Sequence, residues 1–183
     1  MTPPGASTAG DVAPAPRAGV AALLAGEPAV QSASGGQGEA VAVGDAARPL
    51  FIAALARATA RRPIVVAVPT ATEAERIAHD LRQLLGVEAV EQFPAWETLP
   101  FERVSPALET MGRRMRVLWR LRTESGAGHD PLVIVAPVRA LVQRLGPHAA
   151  DVEPVTIARG GRIDRDAFVA ELIEIGYRRE YQV

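Results

Sequence analysis

The sequence predicts an α/β fold with a parallel sheet and helices on both faces, and three stretches carry the prediction. Ile64-Val-Val-Ala-Val68 and Leu132-Val-Ile-Val-Ala136 are uninterrupted apolar runs rich in β-branched residues. Strands buried on both faces read as such continuous runs, whereas a strand with one wet face alternates. Between them, Ala74, Ile77, Ala78, Leu81, Leu84 and Leu85 recur at helical spacing, which marks an amphipathic helix. Strands that alternate with such helices bury them against both faces of a parallel sheet.

Taken in order, residues 1–39 are dominated by Ala, Pro, Gly and Ser. That composition buries too little apolar surface to offset its ordering entropy, so a mobile tail is expected, with one short helix at residues 18–25. Val41-Ala-Val43 is a candidate short strand, residues 44–49 a loop, and residues 50–60 a helix opening just after Pro49, where a missing amide hydrogen is tolerated. The Ile64 strand follows. In the next helix Thr70 and Glu73 have capping-box spacing and Gly86 supplies the stop. Residues 87–93 read as a further strand. The helix after Pro106 gathers Leu108, Met111, Met115, Leu118 and Trp119 into one stripe, with Arg113, Arg116 and Arg120 opposite. The Leu132 strand leads into a helix at 138–145 that Gly146-Pro147 ends. Beyond it, residues 152–158 suggest a strand and Gly160-Gly161 a turn. Asp164 is placed to cap a helix carrying Phe168, Val169, Leu172, Ile173 and Ile175, which stops at Gly176. The expected organisation is a tail at 1–39, an α/β domain at 40–150 and the start of a small unit at 151–183. A lone strand and helix cannot bury both their faces, so that last unit is expected to be incomplete. An uncovered apolar sheet edge would make the chain poorly soluble in isolation.

Composition narrows the chemistry. All 20 basic residues are arginine, with no lysine, no asparagine and no cysteine. A GC-rich genome accounts for such usage, but the consequences hold regardless of its origin: no Schiff-base lysine, no P-loop lysine, no thiolate and no disulfide. A formal net charge of −1 excludes a globally basic nucleic-acid wrapper while leaving room for a local basic face. The N-terminus lacks a basic segment followed by an apolar one, and no run of about 18 apolar residues offers a membrane span, so a cytoplasmic, membrane-free protein is expected.

Each candidate for chemistry meets a structural alternative. The loop from Gly44 sits where a nucleotide-binding loop would, after a first strand and before a first helix. Aligned with GxxxxGK[ST], however, its closing positions are Pro49, Leu50 and Phe51, which cannot admit, neutralise or coordinate a magnesium phosphate. The Leu132 strand ends in Ala136-Pro137 rather than in acidic residues. His79, His129 and His148 lack metal-ligand spacing, and Ser105 lacks nucleophile-elbow glycines. Glu97 and Glu102 resemble an acid/base pair but lie in a loop with no evident desolvating pocket. Arg113, Arg116 and Arg120 form a ridge suited to phosphates or an acidic partner, or else a solvated face with internal ion pairs. Phe93, Trp96 and Phe101 are core or lid more readily than a base-stacking platform. No catalytic residues, cofactor-binding residues or metal ligands are predicted.

Residues 93–106, FPAWETLPFERVSP, together with the Gly112-Arg-Arg helix and Val133-Ile-Val-Ala-Pro-Val-Arg-Ala-Leu-Val-Gln143, resemble the N-terminal region of the bacterial transcription-repair coupling factors, the Mfd family, with the actinobacterial type nearest. The resemblance runs from about residue 40 to the end and accommodates the short helix near Val20. It implies a UvrB-like, RecA-like domain whose P-loop has degenerated, plus the opening of a small inserted α+β domain that binds UvrA. By that resemblance the segment is a non-catalytic recruitment scaffold. ATP, magnesium, the motor, and the contacts to RNA polymerase and DNA belong to downstream domains of the parent translocase. The family's EFxxRGGxxDxFP-type segment, which carries its UvrA-contacting arginine, has no counterpart here, so that role falls on no residue of this chain. UvrB's tyrosine-rich hairpin is also unmatched. Two alternatives remain at this point: a UvrB-type excinuclease or helicase subunit, and a generic α/β nucleic-acid binder using Arg113, Arg116 and Arg120.

Overall fold

The structure is a computed structural model that describes residues 16–36, 38, 40–98, 107–124, 131–146, 153–175 and 177. At its centre three parallel strands, β1 (Ile64–Val68), β2 (Val90–Gln92) and β3 (Val133–Pro137), stand in the order β1-β3-β2. The middle strand, β3, is buried along its whole length, as its unbroken apolar run requires. Val133 and Val135 face one layer, while Ile134 and Ala136 face the other.

Around the sheet lie α1 (Pro16–Leu24), α2 (Pro28–Ser34), α3 (Arg48–Ala58), α4 (Ala71–Leu85), α5 (Leu108–Thr123), α6 (Val138–Val142) and α7 (Arg165–Glu174). The link from β1 through α4 to β2 crosses the sheet in one direction, and the link from β2 through α5 to β3 returns. Right-handed crossovers made in opposite directions place their helices on opposite faces. Accordingly α4, backed by α3 and Ala21 of α1, packs on Val133, Val135 and Val90, while Val117 and Leu118 of α5 and Ala140 of α6 pack on Ile134 and Ala136. On α4 the predicted stripe is the buried one, with Ala74, Ile77, Ala78 and Leu81 inside. The Glu73 amide donates to the Thr70 hydroxyl at its N-terminus.

Several elements differ from expectation. Residues 41–43 form no strand; the run is too short to bury a face, and the sheet begins at β1. Before residue 39 there are two helices instead of one. Their small side chains explain this, because Ala21 is fully buried and Val30 nearly so, and alanine packs helices closely without a large side chain. Residues 87–89 are a 3-10 turn following Gly86, whose φ is 97°, so β2 is shorter than predicted. The second-unit strand is absent among residues 153–158, although Gly160 turns the chain with φ 81° and Asp164 caps α7 by accepting from the amides of Asp166 and Ala167. No residue of α7 is buried.

The largest revision concerns α5. Its inward residues are Thr110, Arg114, Val117, Leu118 and Arg120, and Leu108 is 82% exposed. The predicted stripe is rotated because two arginines have partners inside. On this same face α5 covers β2 and β3 but leaves Val65 of β1 half exposed, beside exposed Val138 and Leu141 of α6. Among the described residues β1 and β2 each pair on one side only. No described helix is long and apolar enough to cross a membrane.

Candidate functional site

The charged side chains around the loop at residues 44–51 pair with one another. Gly44 has an ordinary extended backbone (φ −61°), residues 45–47 form a 3-10 turn, and α3 starts at Arg48. With no strand before it, the loop is not the strand-to-helix connection that its position in the sequence predicts. The Arg48 guanidinium bridges Asp45 at 2.8 Å and Glu73 at 3.1 Å. A cation at a helix N-terminus opposes the macrodipole, and these two carboxylates neutralise it. They also set negative charge where a phosphate would approach. Pro49 is buried, while Leu50 and Phe51 are partly buried.

The arginine ridge of α5 has carboxylate partners within the chain. Arg113 pairs with Glu109 one turn earlier. Arg116 reaches Glu91 of β2 at 2.6 Å and Glu88 at 3.3 Å. Arg120, only 9% exposed, binds both oxygens of Glu124 at 2.7 and 2.9 Å, Glu91 at 2.9 Å and the Glu88 carbonyl at 2.7 Å. Hydrogen bonding to Glu124 is the main cause holding the Arg120 pKa above its ordinary value, against the opposing pull of desolvation. Partly buried bidentate pairs of this kind fix geometry more strongly than exposed ones. The ridge therefore fastens α5 to β2.

At the carboxyl ends of the strands lies a cleft of about 630 Å³, walled by residues 94–97 and by Thr70, Glu75, Gln92, Thr110, Arg113 and Arg139. Ligands of open α/β sheets favour this end. The wall at 94–97 is held by side chains. Arg114, 1% exposed, lies 4.1 Å from the Phe93 ring centroid and 4.4 Å from that of Trp96, and donates to the Pro94 carbonyl at 2.6 Å. Its Nε and Nη2 have no hydrogen-bond partner among the described residues, and desolvation pulls its pKa down. The Trp96 amide donates to Gln143 Oε1 at 2.8 Å, and Gln143 Nε2 returns a longer bond to the Trp96 carbonyl. Gln143 is the extended C-cap of α6 (ψ 132°), so the helix ends at Val142, short of the predicted residue 145. Glu97 accepts from the Thr110 hydroxyl and from the Ala107 amide. It thus caps α5, whose own N-cap residue offers no side-chain bond. Thr110 first and Ala107 second hold the Glu97 carboxyl below its ordinary range, the opposite of what a general acid near neutral pH needs.

Of the other candidates, His79 is exposed on α4. Phe101, Glu102, Ser105, His129 and His148 lie outside the described residues. Among the described residues no three acidic, histidine or cysteine side chains gather to hold a metal. Sequence reasoning missed Glu91 and Arg114. The signal for Glu91 was a carboxylate in the middle of a predicted strand, between Val90 and Gln92. For Arg114 it was the phase shared with Val117, Leu118 and Leu121, at spacings of three, four and seven.

No family model matches the chain. The transcription-repair-coupling factor of Mycobacterium tuberculosis is 38% identical over 153 residues, covering 82% of this chain and 12% of that protein. Its counterpart in Escherichia coli is 30% identical over 122 residues (66% of this chain, 10% of that protein), and the one in Bacillus subtilis 31% over 138 residues (75% and 11%). The chain thus spans about one eighth or less of these relatives. Over that span, with an α/β architecture compatible with a RecA-like domain, the chain belongs to the family of transcription-repair-coupling factors.

Proposed function

We propose that the chain is the recruitment module of a transcription-coupled DNA repair translocase. It acts as a non-catalytic scaffold that presents a UvrB-like surface to UvrA, while the parent's motor, with ATP and magnesium, displaces stalled RNA polymerase on DNA. Family membership supports the repair role. The observation that carries the non-catalytic part is the internal pairing of charge at both candidate sites. Arg48 is held by Asp45 and Glu73 at the loop of Gly44, Pro49, Leu50 and Phe51, and Arg116 and Arg120 are held by Glu88, Glu91 and Glu124 on α5. An unpaired cationic cradle is what phosphate binding requires, and the degenerate loop offers none.

The test is a deletion in the parent protein of the region corresponding to residues 40–175. UvrA capture and strand-specific repair should be lost, while ATP hydrolysis and displacement of stalled polymerase persist. Undiminished UvrA capture, or loss of hydrolysis along with it, contradicts the proposal.

A further inference from the structure

The wall of the strand-end cleft is built differently from the rest of the fold. Phe93 is still tied to the sheet, its amide donating to the Val135 carbonyl at 2.9 Å. Past it, residues 94–97 belong to no helix or strand. Their attachments are made by side chains from α5, by Gln143 just after α6, and by the cation–π stack on Arg114. Side-chain attachments of this kind, on a segment without regular backbone pairing, belong to the part of a protein that opens locally at low free energy. Arg114 adds to this, since it is closed in with two guanidinium donors that have no partner among the described residues, a cost that opening would relieve.

We propose that residues 94–97 are a gate on the strand-end cleft, hinged at Phe93 and latched by Glu97 on α5 and Gln143 beside α6, which opens as one unit without unfolding the sheet. Opening removes one wall of the cleft and brings the unpartnered Arg114 donors into contact with whatever enters. The charged groups facing the latch are Glu109 and Arg113 of α5, Arg139 of α6 and Glu75 of α4. The gate is independent of the recruitment role proposed above.

Amide exchange in the 183-residue chain tests it, because each latch can be broken and the other observed. Glu97→Gln should speed exchange of the Trp96 amide about fivefold, the equivalent of one lost hydrogen bond, although Glu97 does not touch that amide. Gln143→Leu should likewise speed exchange of the Ala107 amide. In both variants the Phe93 amide should keep its rate. With Trp119→Phe leaving Trp96 as the only tryptophan, acrylamide quenching should rise in step, which gives a second readout. Unchanged exchange at the distant latch overturns the gate, because the two ends then move separately. Equal acceleration at Phe93 overturns it as well, because the segment then opens only with the sheet.

Discussion

Replacing Arg120 with methionine separates a structural ridge from a nucleic-acid surface. The substitution keeps an unbranched apolar stem but removes the bidentate pair with Glu124, the bond to Glu91 and the bond to the Glu88 carbonyl. Stranding a fully buried charge costs about 3–5 kcal/mol. Two features reduce that here. The Glu124 side chain is 30% exposed and can turn to water, and Glu91, 12% exposed, keeps Arg116 at 2.6 Å. A loss of about 2–3 kcal/mol remains, visible as a lower urea midpoint at unchanged slope. A cycle with Glu91→Gln should show coupling of about 1–2 kcal/mol. In parallel, DNA binding is titrated against salt for the parent and for the triple Arg113, Arg116 and Arg120 alanine variant. Three phosphate contacts would make the logarithmic salt slope steeper by about 2.7, at about 0.9 each. Internal pairing predicts little change in slope. An unaltered urea midpoint for Arg120→Met, together with loss of about 2.7 from the slope in the triple variant, would refute the structural account of the ridge.

Two further outcomes follow from the cleft wall. Glu97 has a lowered folded-state pKa, so its stabilising effect is fully present above its ordinary value of 4.5 and fades as pH falls through the lower folded value. Glu97→Gln should therefore destabilise the chain at neutral pH and flatten this acid-side loss, as read by urea midpoints between pH 3 and 7, roughly the range that brackets a carboxyl titration; an identical acid profile in the variant counts against the cap. Arg114→Met forfeits two cation–π contacts and one charge-assisted bond but removes a desolvated charge with two unpartnered donors, effects of similar size, so the net change should stay within about 2 kcal/mol. Destabilisation beyond about 4 kcal/mol in the same titration would show that the orphan donors carry no cost.

The parts of this fold that were legible in the sequence are those set by local pattern. The β-branched run at β3 and the stripe of α4 are buried as their patterns require, whereas β1, an equally unbroken run, alternates in burial and leaves Val65 half exposed because α5 does not cover it. The caps at Thr70 and Asp164 were equally legible, because capping depends on residues within one turn. What was not legible depends on partners distant in sequence. Arg114 turns inward only because Phe93 and Trp96, about 20 residues away, offer their ring faces. Arg120 is inside only because Glu91 sits on the strand beneath it. Glu97 reads from the sequence as a loop carboxylate and is indeed exposed, yet it accepts from the amide of Ala107, the N-cap of α5, ten residues later. The two N-terminal helices were underestimated because alanine contributes little to a hydrophobicity count but permits close helix packing.

The proposed non-catalytic role requires that the nucleotide-loop position, where Arg48 pairs with Asp45 and Glu73, bind no nucleotide. Calorimetric titration of the 183-residue chain with ATP and magnesium tests it most directly. No saturable binding tighter than about 1 mM is predicted, with or without the metal. Magnesium-dependent binding at about 1–10 µM would contradict the account.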